Sequence, residues 1–491
     1  MRKLLTLASA LLIVSPSIAC GPQPGTLDAA RAALGIDQLQ SIEFSGTGRW
    51  FQFGQAPSPT LPWPQFDVSR YQATIDYQTP AAWVQMTRIQ TVEPGRLRPA
   101  PTEQRVDQNV SGTSAWSVPA TPAAGGTAPP PQAQPAAVDE RMMEIWTTPH
   151  GFLKAAAANN ATTQPAGGGA EVSFTVGGKY RYVGTISPQN RVERVQTWID
   201  NPILGDTPVE FTYSDYRDFN GVMFPGRIVR TQGGHPVLDI TVSAVSANPA
   251  VTIAVPSEVA SAAAPAVTAT AEPIAPGVYY IKGGTHHSVA IDQRDHIVVV
   301  EAPLNEARSL AAIAKIKETI PNKPIRYLIN SHHHFDHSGG LRTYVDEGAT
   351  IVTHQMNQPY YEKAWAAPRT INPDRLAQSK KAATFETVGD KHVLTDGKRS
   401  IEVHHIAGNG HNDAFVMVYL PTEKVLIEVD AWAPLAPNAP APTVPSPFAV
   451  NLQDNIQRLK LDVKHIAALH GPRLATAAEL AAAVGPIGAT R

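Results

Sequence analysis

The stretch SHHHFDHSGG, residues 331–340, holds four histidines and one aspartate before its glycine pair. Imidazole and carboxylate groups are the side chains that hold zinc and other divalent metals in proteins. A histidine tract without function is a poor explanation, because Phe335 and Asp336 interrupt it and glycines close it. The stretch therefore predicts a metal site.

The element before this stretch decides how its side chains are aimed. IRYLIN (325–330) is a short apolar strand that leads directly into it. A strand continuing through the stretch would place His332, His334 and Asp336 on one face, whereas a helix would align His333 with His337. A loop at the carboxyl end of a rigid strand can aim several of these side chains at one point, which favours a site on a loop.

Three later segments have the same form, an apolar strand followed by a residue able to bind metal. His411 follows a glycine-containing turn in HHIAGNGHND, Asp430 ends the strand in VLIEVDAW, and His470 ends the strand in IAALHGP. A single residue of this kind would usually be structural. Three in succession after the histidine cluster predict one shared site, because one metal ion needs about four ligands.

Taken in order, these positions resemble the ligand pattern of the metallo-β-lactamase superfamily: His332-x-His334-x-Asp336-His337, then His411, Asp430 and His470. The opening GVYYIKGGTHHSVAIDQRDHIVVVEAP (277–303) is also similar to the first hairpins of that family. The resemblance covers residues 277–491 and implies an α/β fold, an αββα sandwich with a dinuclear metal site at one edge. It implies that His332, His334 and His411 hold the first metal, that Asp336, His337 and His470 hold the second, and that Asp430 bridges both.

Other residues near the pattern receive different roles from the same resemblance. His333 points away from the metals, and Glu301 stands where many members carry Asp and supports the metal loop without being a ligand. We expect His404 and His405 to support the site or lie in the core. We expect His286 and His287 to face the cleft.

The chemistry implied is hydrolysis by a water shared between two metal ions, with Asp336 as both ligand and orienting group. The single cysteine, Cys20, lies far from the cluster, so the ligands are histidine and carboxylate, and two Zn²⁺ per chain are expected, with Fe or Mn as alternatives. The interval from Asp430 to His470 is too short for the large insert of the superfamily's nucleases. We therefore expect a small ester, lactone, thioester or cyclic amide as substrate.

Two further functions stay open at this level. The first is a mononuclear iron oxygenase on the same fold. The second is a lipid- or lipoprotein-binding module with a metal-bearing partner domain, because the N-terminal region loosely resembles the curved sheets of periplasmic lipoprotein carriers. Metal content would separate the first from a dinuclear hydrolase.

Composition changes divide the chain into regions. Residues 25–255 are rich in β-branched and aromatic strand patterns, as in RVERVQTWI (191–199), and show no catalytic constellation. Two low-complexity stretches, 118–137 and 155–169, predict loops or disordered insertions. A Pro- and Ala-rich segment, 256–276, predicts a linker to the region 277–491. Of the 16 histidines, only His150 and His235 precede it.

The first residues predict export. Arg2 and Lys3 precede a short apolar run that ends at Ser17-Ile18-Ala19, the pattern of a cleaved signal peptide over residues 1–19. Cys20 follows directly, as in bacterial lipoproteins, so the mature chain is expected in the periplasm, either free or attached to the membrane through Cys20. The formal net charge of -2 gives no reason to expect nucleic acid as a partner, and a small molecule is expected instead.

Overall fold

The computed structural model describes residues 25–120, 129–262, 266–436, 439 and 442–485. The predicted signal peptide (1–19) and Cys20 therefore lie outside the described residues. Within the described ranges, no helix is both long enough and apolar enough to cross a membrane.

Antiparallel strands dominate the N-terminal region, residues 25–255. They are β1 (Ser41–Phe51), β2 (Gln65–Asp76), β3 (Ala81–Gln90), β4 (Gln104–Ser111), β5 (Ser114–Ser117), β6 (Gln132–Ala133), β7 (Thr162–Ala166), β8 (Gly169–Val176), β9 (Tyr180–Ile186), β10 (Val192–Asn201), β11 (Gly205–Ser214), β12 (Arg217–Phe219), β13 (Val222–Phe224), β14 (Arg227–Gln232) and β15 (His235–Ala247). A 13-stranded sheet runs in the order β6-β5-β4-β3-β2-β1-β15-β14-β11-β10-β9-β8-β7, and β12 pairs with β13. The predicted β-rich region before the metal-site region is confirmed.

The core of this region lies against one face of the large sheet. It is covered by α1 (Leu27–Ala33), α2 (Val138–Thr147) and α3 (Pro149–Ala158). Strands such as β11 alternate between buried and less buried residues, which is the pattern of a sheet covered on one face. Between sheet and α2 lies a cavity of about 40 Å³, lined in part by Tyr71, Glu144 and Arg230. That volume holds a few waters but no acyl chain.

The C-terminal region, which begins at residue 277, contributes most of two further sheets. Their strands are β16 (Thr270–Ala275), β17 (Val278–Lys282), β18 (Ser288–Asp292), β19 (Ile297–Val300), β20 (Ile325–Ile329), β21 (Thr350–His354), β22 (Phe385–Val388), β23 (Lys391–Thr395), β24 (Ser400–His405), β25 (Val416–Leu420), β26 (Val425–Glu428), β27 (His465–Ala468) and β28 (Leu474–Thr476). Strands β16 to β22 form a 7-stranded sheet and β23 to β28 a 6-stranded one, each in sequence order. Strands β19 to β22 are parallel neighbours, and so are β26 and β27.

Helices cover the outer faces of these two sheets. They are α5 (Glu306–Thr319), α7 (Leu341–Glu347), α8 (Asn357–Trp365), α9 (Arg375–Ser379), α10 (Pro447–Arg458) and α11 (Ala477–Val484), while α4 (Ser257–Ala260) lies before the first sheet and the short α6 (Phe335–Ser338) follows β20. Val289 packs toward the second sheet, whereas its neighbour Ala290 packs in the cluster that includes α5. Both faces of the sheet are therefore apolar, and the predicted αββα sandwich is confirmed.

Three segments differ from the loops and linker that the sequence predicts. Residues 155–169 contain the end of α3, strand β7 and the start of β8, because the alanine run is a good helix former and Gly167-Gly168 makes the hairpin turn between the strands. In 118–137, β6 pairs with β5, and residues 121–128 are not described. In 256–276, β16 pairs with β17 as the first strand of the 7-stranded sheet.

Candidate metal centre

The predicted ligands lie on loops at one edge of the two sheets. The histidine cluster follows β20, and its second half forms the short helix α6. His411 lies between β24 and β25, Asp430 follows β26, and His470 follows β27. Neighbouring parallel strands end at the same edge, so these loops meet although His332 and His470 are 138 positions apart in the sequence.

Four side chains, called here the first group, surround one point. His332, His334, His411 and Asp430 each offer one ligand atom, and these atoms all lie within 4.8 Å of one another. His411 Nε2 is 2.9 Å from Asp430 Oδ2, and His332 Nε2 is 3.5 Å from the same oxygen. Three imidazoles and one carboxylate are a ligand set that suits a divalent metal.

A second group lies directly beside the first. It consists of His286, Asp336, His337 and His470, whose ligand atoms also lie within 4.8 Å of one another. Asp430 contacts this group too, since its Oδ2 is 3.0 Å from His337 Nε2 and its Oδ1 is 2.7 Å from His470 Nδ1. The structure thus brings all seven predicted residues together, with Asp430 between the groups.

His286 belongs to the second group, although the sequence analysis did not assign it as a metal ligand. It lies on the turn between β17 and β18, and its ring stacks on His470 at a centroid distance of 3.9 Å. Its Nε2 is 3.4 Å from Asp336 Oδ2. Neither spacing nor a preceding apolar strand separates His286 from His287, and only the folded position of the turn does so.

The outward nitrogens of several rings are held by hydrogen bonds. Ser331 Oγ donates to Glu301 Oε2 at 2.6 Å and so accepts from His332 Nδ1 at 2.9 Å. Glu301 Oε2 also accepts from His337 Nδ1 at 3.1 Å. These bonds leave the Nε2 lone pair of His332 facing the centre, which is the tautomer that a metal ligand needs.

His334 is oriented by the N-terminal region. Its Nε2 lies 2.8 Å from the backbone carbonyl of Ala56, which can only accept, so Nε2 carries the proton. Its Nδ1 is buried and has no hydrogen-bond partner among the described residues. A buried ring nitrogen without a hydrogen-bond partner, on a side chain that belongs to the first group, fits a metal ion, because an unsatisfied polar atom is otherwise costly.

Burial and neighbouring charges set the protonation of these groups. Desolvation, reinforced by neighbouring imidazoles, holds the pKa of His332 and of His334 well below the usual value. Burial opposes ionisation of Asp430, yet His337 and His411 lower its pKa overall. Burial likewise disfavours charged His337, but Asp430 and Glu301 raise its pKa overall. Neutral His332 and His334 and ionised Asp430 are the forms that bind a cation.

Residues predicted to lie outside the ligand set are outside both groups. Glu301 accepts from the backbone N–H of Ser331 at 3.1 Å and supports the loop, as predicted. His333 packs on Tyr360 with ring centroids 5.2 Å apart. His404 Nε2 contacts Glu402, and His405 Nε2 contacts the carbonyl of Asp413.

The N-terminal region also contacts the second group and forms most of a pocket. Gln55 Nε2 donates to Asp336 Oδ1 at 2.8 Å. A pocket of about 300 Å³ opens onto His334 and His411, and residues between 52 and 104 form most of its wall. The sequence assigned no part of the site to this region, because no metal-binding residue type marks these loops.

A family comparison identifies the C-terminal region. Residues 275–427 match the model of the metallo-beta-lactamase superfamily. These residues belong to that superfamily. The match ends before Asp430 and His470, so their place in the site of this metallo-beta-lactamase domain rests on the distances given above.

Known proteins are similar to parts of the chain. A curated relative, the alpha subunit of 2,4-dinitroanisole O-demethylase from Nocardioides sp. (strain JS1661), is 22% identical over 166 residues, which are 33% of this chain and 45% of that relative. The chain therefore spans less than half the length of this relative.

Solved structures resemble the fold of the metallo-beta-lactamase domain. A metallo-beta-lactamase from Pontibacter korlensis is 18% identical, with a TM-score of 0.33, and the match covers 44% of this chain and 96% of that one. The metallo-beta-lactamase FIM-1 from Pseudomonas aeruginosa in its mono-zinc form is 16% identical, with a TM-score of 0.33 and coverage of 44% and 93%.

Proposed function

We propose that this protein is an exported metal-dependent hydrolase that binds two zinc ions and cleaves a small ester, lactone, thioester or cyclic amide. The observation that carries the proposal is the position of Asp430, whose two carboxylate oxygens contact both groups of ligand side chains. A carboxylate shared in this way suits two cations close together, which is the arrangement of dinuclear hydrolases.

The ligand atoms of His332 and His334 follow from the hydrogen bonds on the outer side of each ring, and His411 Nε2 lies 2.9 Å from Asp430 Oδ2. His332 Nε2, His334 Nδ1 and His411 Nε2 would hold the first ion together with Asp430. Asp336, His337 and His470 would hold the second ion. Zinc is favoured because imidazole and carboxylate ligands suit it, and iron or manganese would fit the same residue types.

The chain's own residues prepare the site for hydrolysis. Zinc supplies a water of pKa near 7 and polarises a carbonyl oxygen when it is bound. Gln55 holds Asp336 Oδ1 at 2.8 Å, so the Oδ2 atom faces the second group and can orient the attacking water. Asp336 would be the catalytic carboxylate in this arrangement. Burial opposes ionisation of Asp336, but the hydrogen bond with His286 and the electrostatic effect of His337 lower its pKa overall, so it stays ionised.

The size of the pocket supports a small substrate. Its volume of about 300 Å³ is at the lower end of the range for small-molecule sites, about 300–1,000 Å³. A polymer would need an open groove. An acyl compound of a few carbon atoms with its leaving group would fit.

Metal content and turnover of the full chain test the proposal. The protein is purified from the exported fraction without added metal, and its metals are quantified. It is then assayed on a thioester, a lactone, an aryl ester and a β-lactam. We expect about two zinc ions per chain, hydrolysis of at least one probe, and loss of that activity in the presence of a chelator.

A matched pair of histidine variants accompanies the assay. His334→Ala should lose most activity and one metal ion, because it removes a first-group ligand atom. His392→Ala is the control, since His392 lies on β23, outside both groups, and pairs with Glu386. Activity that survives the chelator, or full turnover by His334→Ala, would contradict the proposal.

A mononuclear iron oxygenase is the second candidate. The curated relative is named an O-demethylase, and a methyl group can leave an aryl ether by oxidation or by hydrolysis. The panel therefore includes 2,4-dinitroanisole, with oxygen consumption as the readout. One iron per chain together with oxygen uptake would favour the oxygenase over a dinuclear hydrolase. The lipid-binding alternative has less support, because the cavity beside α2 has a volume of about 40 Å³, which is too small for an acyl chain.

Export and membrane attachment are tested separately from catalysis. The mass of the mature chain reports cleavage after Ala19, and a diacylglycerol on Cys20 would add a mass increment and move the protein to the membrane fraction. Cys20→Ser distinguishes the two forms, because it leaves the signal sequence intact and removes the acceptor for lipid.

A further inference from the structure

The loop between β3 and β4, residues 91–103, is fixed against the His411 loop at two points. Arg96 makes two hydrogen bonds to Asp413, at 2.9 and 3.0 Å. The carbonyl oxygen of the next residue, Leu97, occupies the position where a Cβ atom of Gly410 would lie. Only glycine allows this approach, so the residue after Leu97 is held beside the metal centre.

That residue is Arg98, and much of its hydrogen-bonding capacity is unused. Its side chain is only 17% exposed. The Nε and Nη2 atoms are buried without a hydrogen-bond partner among the described residues. The closest acidic group is Glu93, at 3.8 Å from Nη2, and Glu93 lies closer to Arg96, at 3.3 Å. Buried N–H groups of a cation without acceptors are costly, so an acceptor is missing from this position.

Arg98 gives the pocket its charge. Of the described residues that line the pocket, only His334, His411 and Phe448 come from the C-terminal region. The remainder are glutamines, prolines and other uncharged residues, apart from Arg98. The lining of the pocket therefore combines one guanidinium with two first-group histidines, and the carboxylate nearest to that guanidinium is Glu93, which lies 3.8 Å from Nη2.

We propose that Arg98 binds an oxyanion of the substrate, a carboxylate or a phosphate, and positions the scissile bond at the metal centre. This inference rests on the proposed hydrolase function and adds the substrate class, a small acyl compound with an anionic group. A guanidinium carries N–H groups side by side, which match two oxygens of a carboxylate or phosphate. The N-terminal region thereby determines substrate specificity.

The test compares substrates that differ only in the anionic group. A succinate monoaryl ester, its methyl-capped neutral analogue, and an aryl ester with a phosphate at the same distance are hydrolysed by the wild type, by Arg98→Gln and by Arg98→Lys. Arg105→Gln is the matched control, because Arg105 follows on β4 with its side chain 72% exposed. Metal content and thermal unfolding are measured for each variant.

We expect Arg98→Gln to reduce kcat/KM about 10- to 100-fold for the anionic esters, which corresponds to the loss of charge-assisted hydrogen bonds. The neutral ester should change less than about 3-fold by the same reasoning. Arg98→Lys should keep part of the preference, because it retains the charge and loses the paired N–H edge. Which ester is preferred by the wild type decides between carboxylate and phosphate.

Failure of the inference is distinguishable from failure of the hydrolase proposal. Equal losses on neutral and anionic esters, or no loss on either, would overturn the role of Arg98 while leaving hydrolysis established. If the wild type hydrolyses none of the esters, the affinity of the site for succinate and for inorganic phosphate is measured by calorimetry instead. Binding weakened about 10-fold in Arg98→Gln but not in Arg105→Gln supports the inference, and equal binding refutes it.

Discussion

Glu301 is the residue whose replacement tests most directly how the protein holds its metal loop. It is buried beside the first residue of that loop and lies in the left-handed backbone region, with φ of 74°. Its Oε1 accepts from the Ser331 backbone N–H at 3.1 Å, and its Oε2 accepts from Ser331 Oγ at 2.6 Å and His337 Nδ1 at 3.1 Å. The perturbation is Glu301→Gln, which keeps the size and removes the charge.

The expected magnitude follows from these three donors. A glutamine offers one oxygen and one NH₂ group, so in either orientation the NH₂ group must face at least one of the donors. A buried donor left without an acceptor costs about 1–3 kcal/mol, and we expect the free energy of unfolding of the metal-free protein to fall by that amount. His337 also loses the group that orients its ring, and such losses weaken metal binding about 10- to 100-fold.

Two measurements check this prediction. Urea unfolding of the metal-free chain gives the stability change, and competition with a chromogenic chelator gives the zinc affinity of both ions. Glu318→Gln is the control for the chemical change, because Glu318 is exposed and pairs with Lys315 on the surface of α5. Zinc affinity within a factor of about two of the wild type would refute the reasoning, since an orienting group is expected to change it about tenfold or more.

Further perturbations probe other parts of the structure. Gly54→Ala places a Cβ atom 2.5 Å from Cγ of Phe335 at a residue with φ of 77°, so we expect a loss of about 1–3 kcal/mol in unfolding free energy and reduced turnover, measured by denaturation and by the hydrolase assay. Burial lowers the pKa of His150 from 6.5 to about 4, so the unfolded chain binds a proton first as the pH falls. Stability should therefore drop by about 3 kcal/mol between pH 7 and pH 4, and His150→Gln should lack this part of the drop in denaturation curves at the two pH values. Tyr361→Phe removes the 2.7 Å hydrogen bond to Asn330 Oδ1 and should cost about 1 kcal/mol, and an unchanged midpoint in urea would contradict it.

The clustering of the seven side chains could be predicted because each comes at a defined place in the sequence. The histidine cluster, Asp430 and His470 come just after short apolar strands, and strand ends on one edge of a sheet lie together. The αββα layers are implied by the resemblance to the metallo-β-lactamase superfamily, and the structure agrees with it, since strands such as β19 and β25 are buried on both faces.

His286 could not be predicted with the others because a turn decides its direction. The neighbouring histidines 286 and 287 are equivalent in sequence, and both are buried. The fold directs His286 to Asp336 and His470, whereas His287 Nδ1 accepts from the N–H of Gly283. Such a choice depends on backbone angles that residue types alone do not specify.

The contribution of the N-terminal region to the site could not be predicted from the sequence either. Gln55 and Asp336 are 281 residues apart, and their contact depends on how the two regions meet. Gln55, Ala56 and Arg98 belong to no spacing pattern, because all three lie on loops that approach the site from outside its own sheets. Contacts of this range are set by tertiary packing, which local propensity does not encode.

The carbonyl of Ala56 acts on His334 through the main chain, and this has a consequence for comparing sequences. The hydrogen bond itself needs no particular side chain, but Ala56 is buried against Trp63 and Val237, so a small apolar residue at position 56 would preserve the interaction. An alignment of homologues would then give no sign that the backbone of residue 56 sets the tautomer of His334 in the other half of the chain. The dependence would become visible only when the two halves were exchanged between homologues.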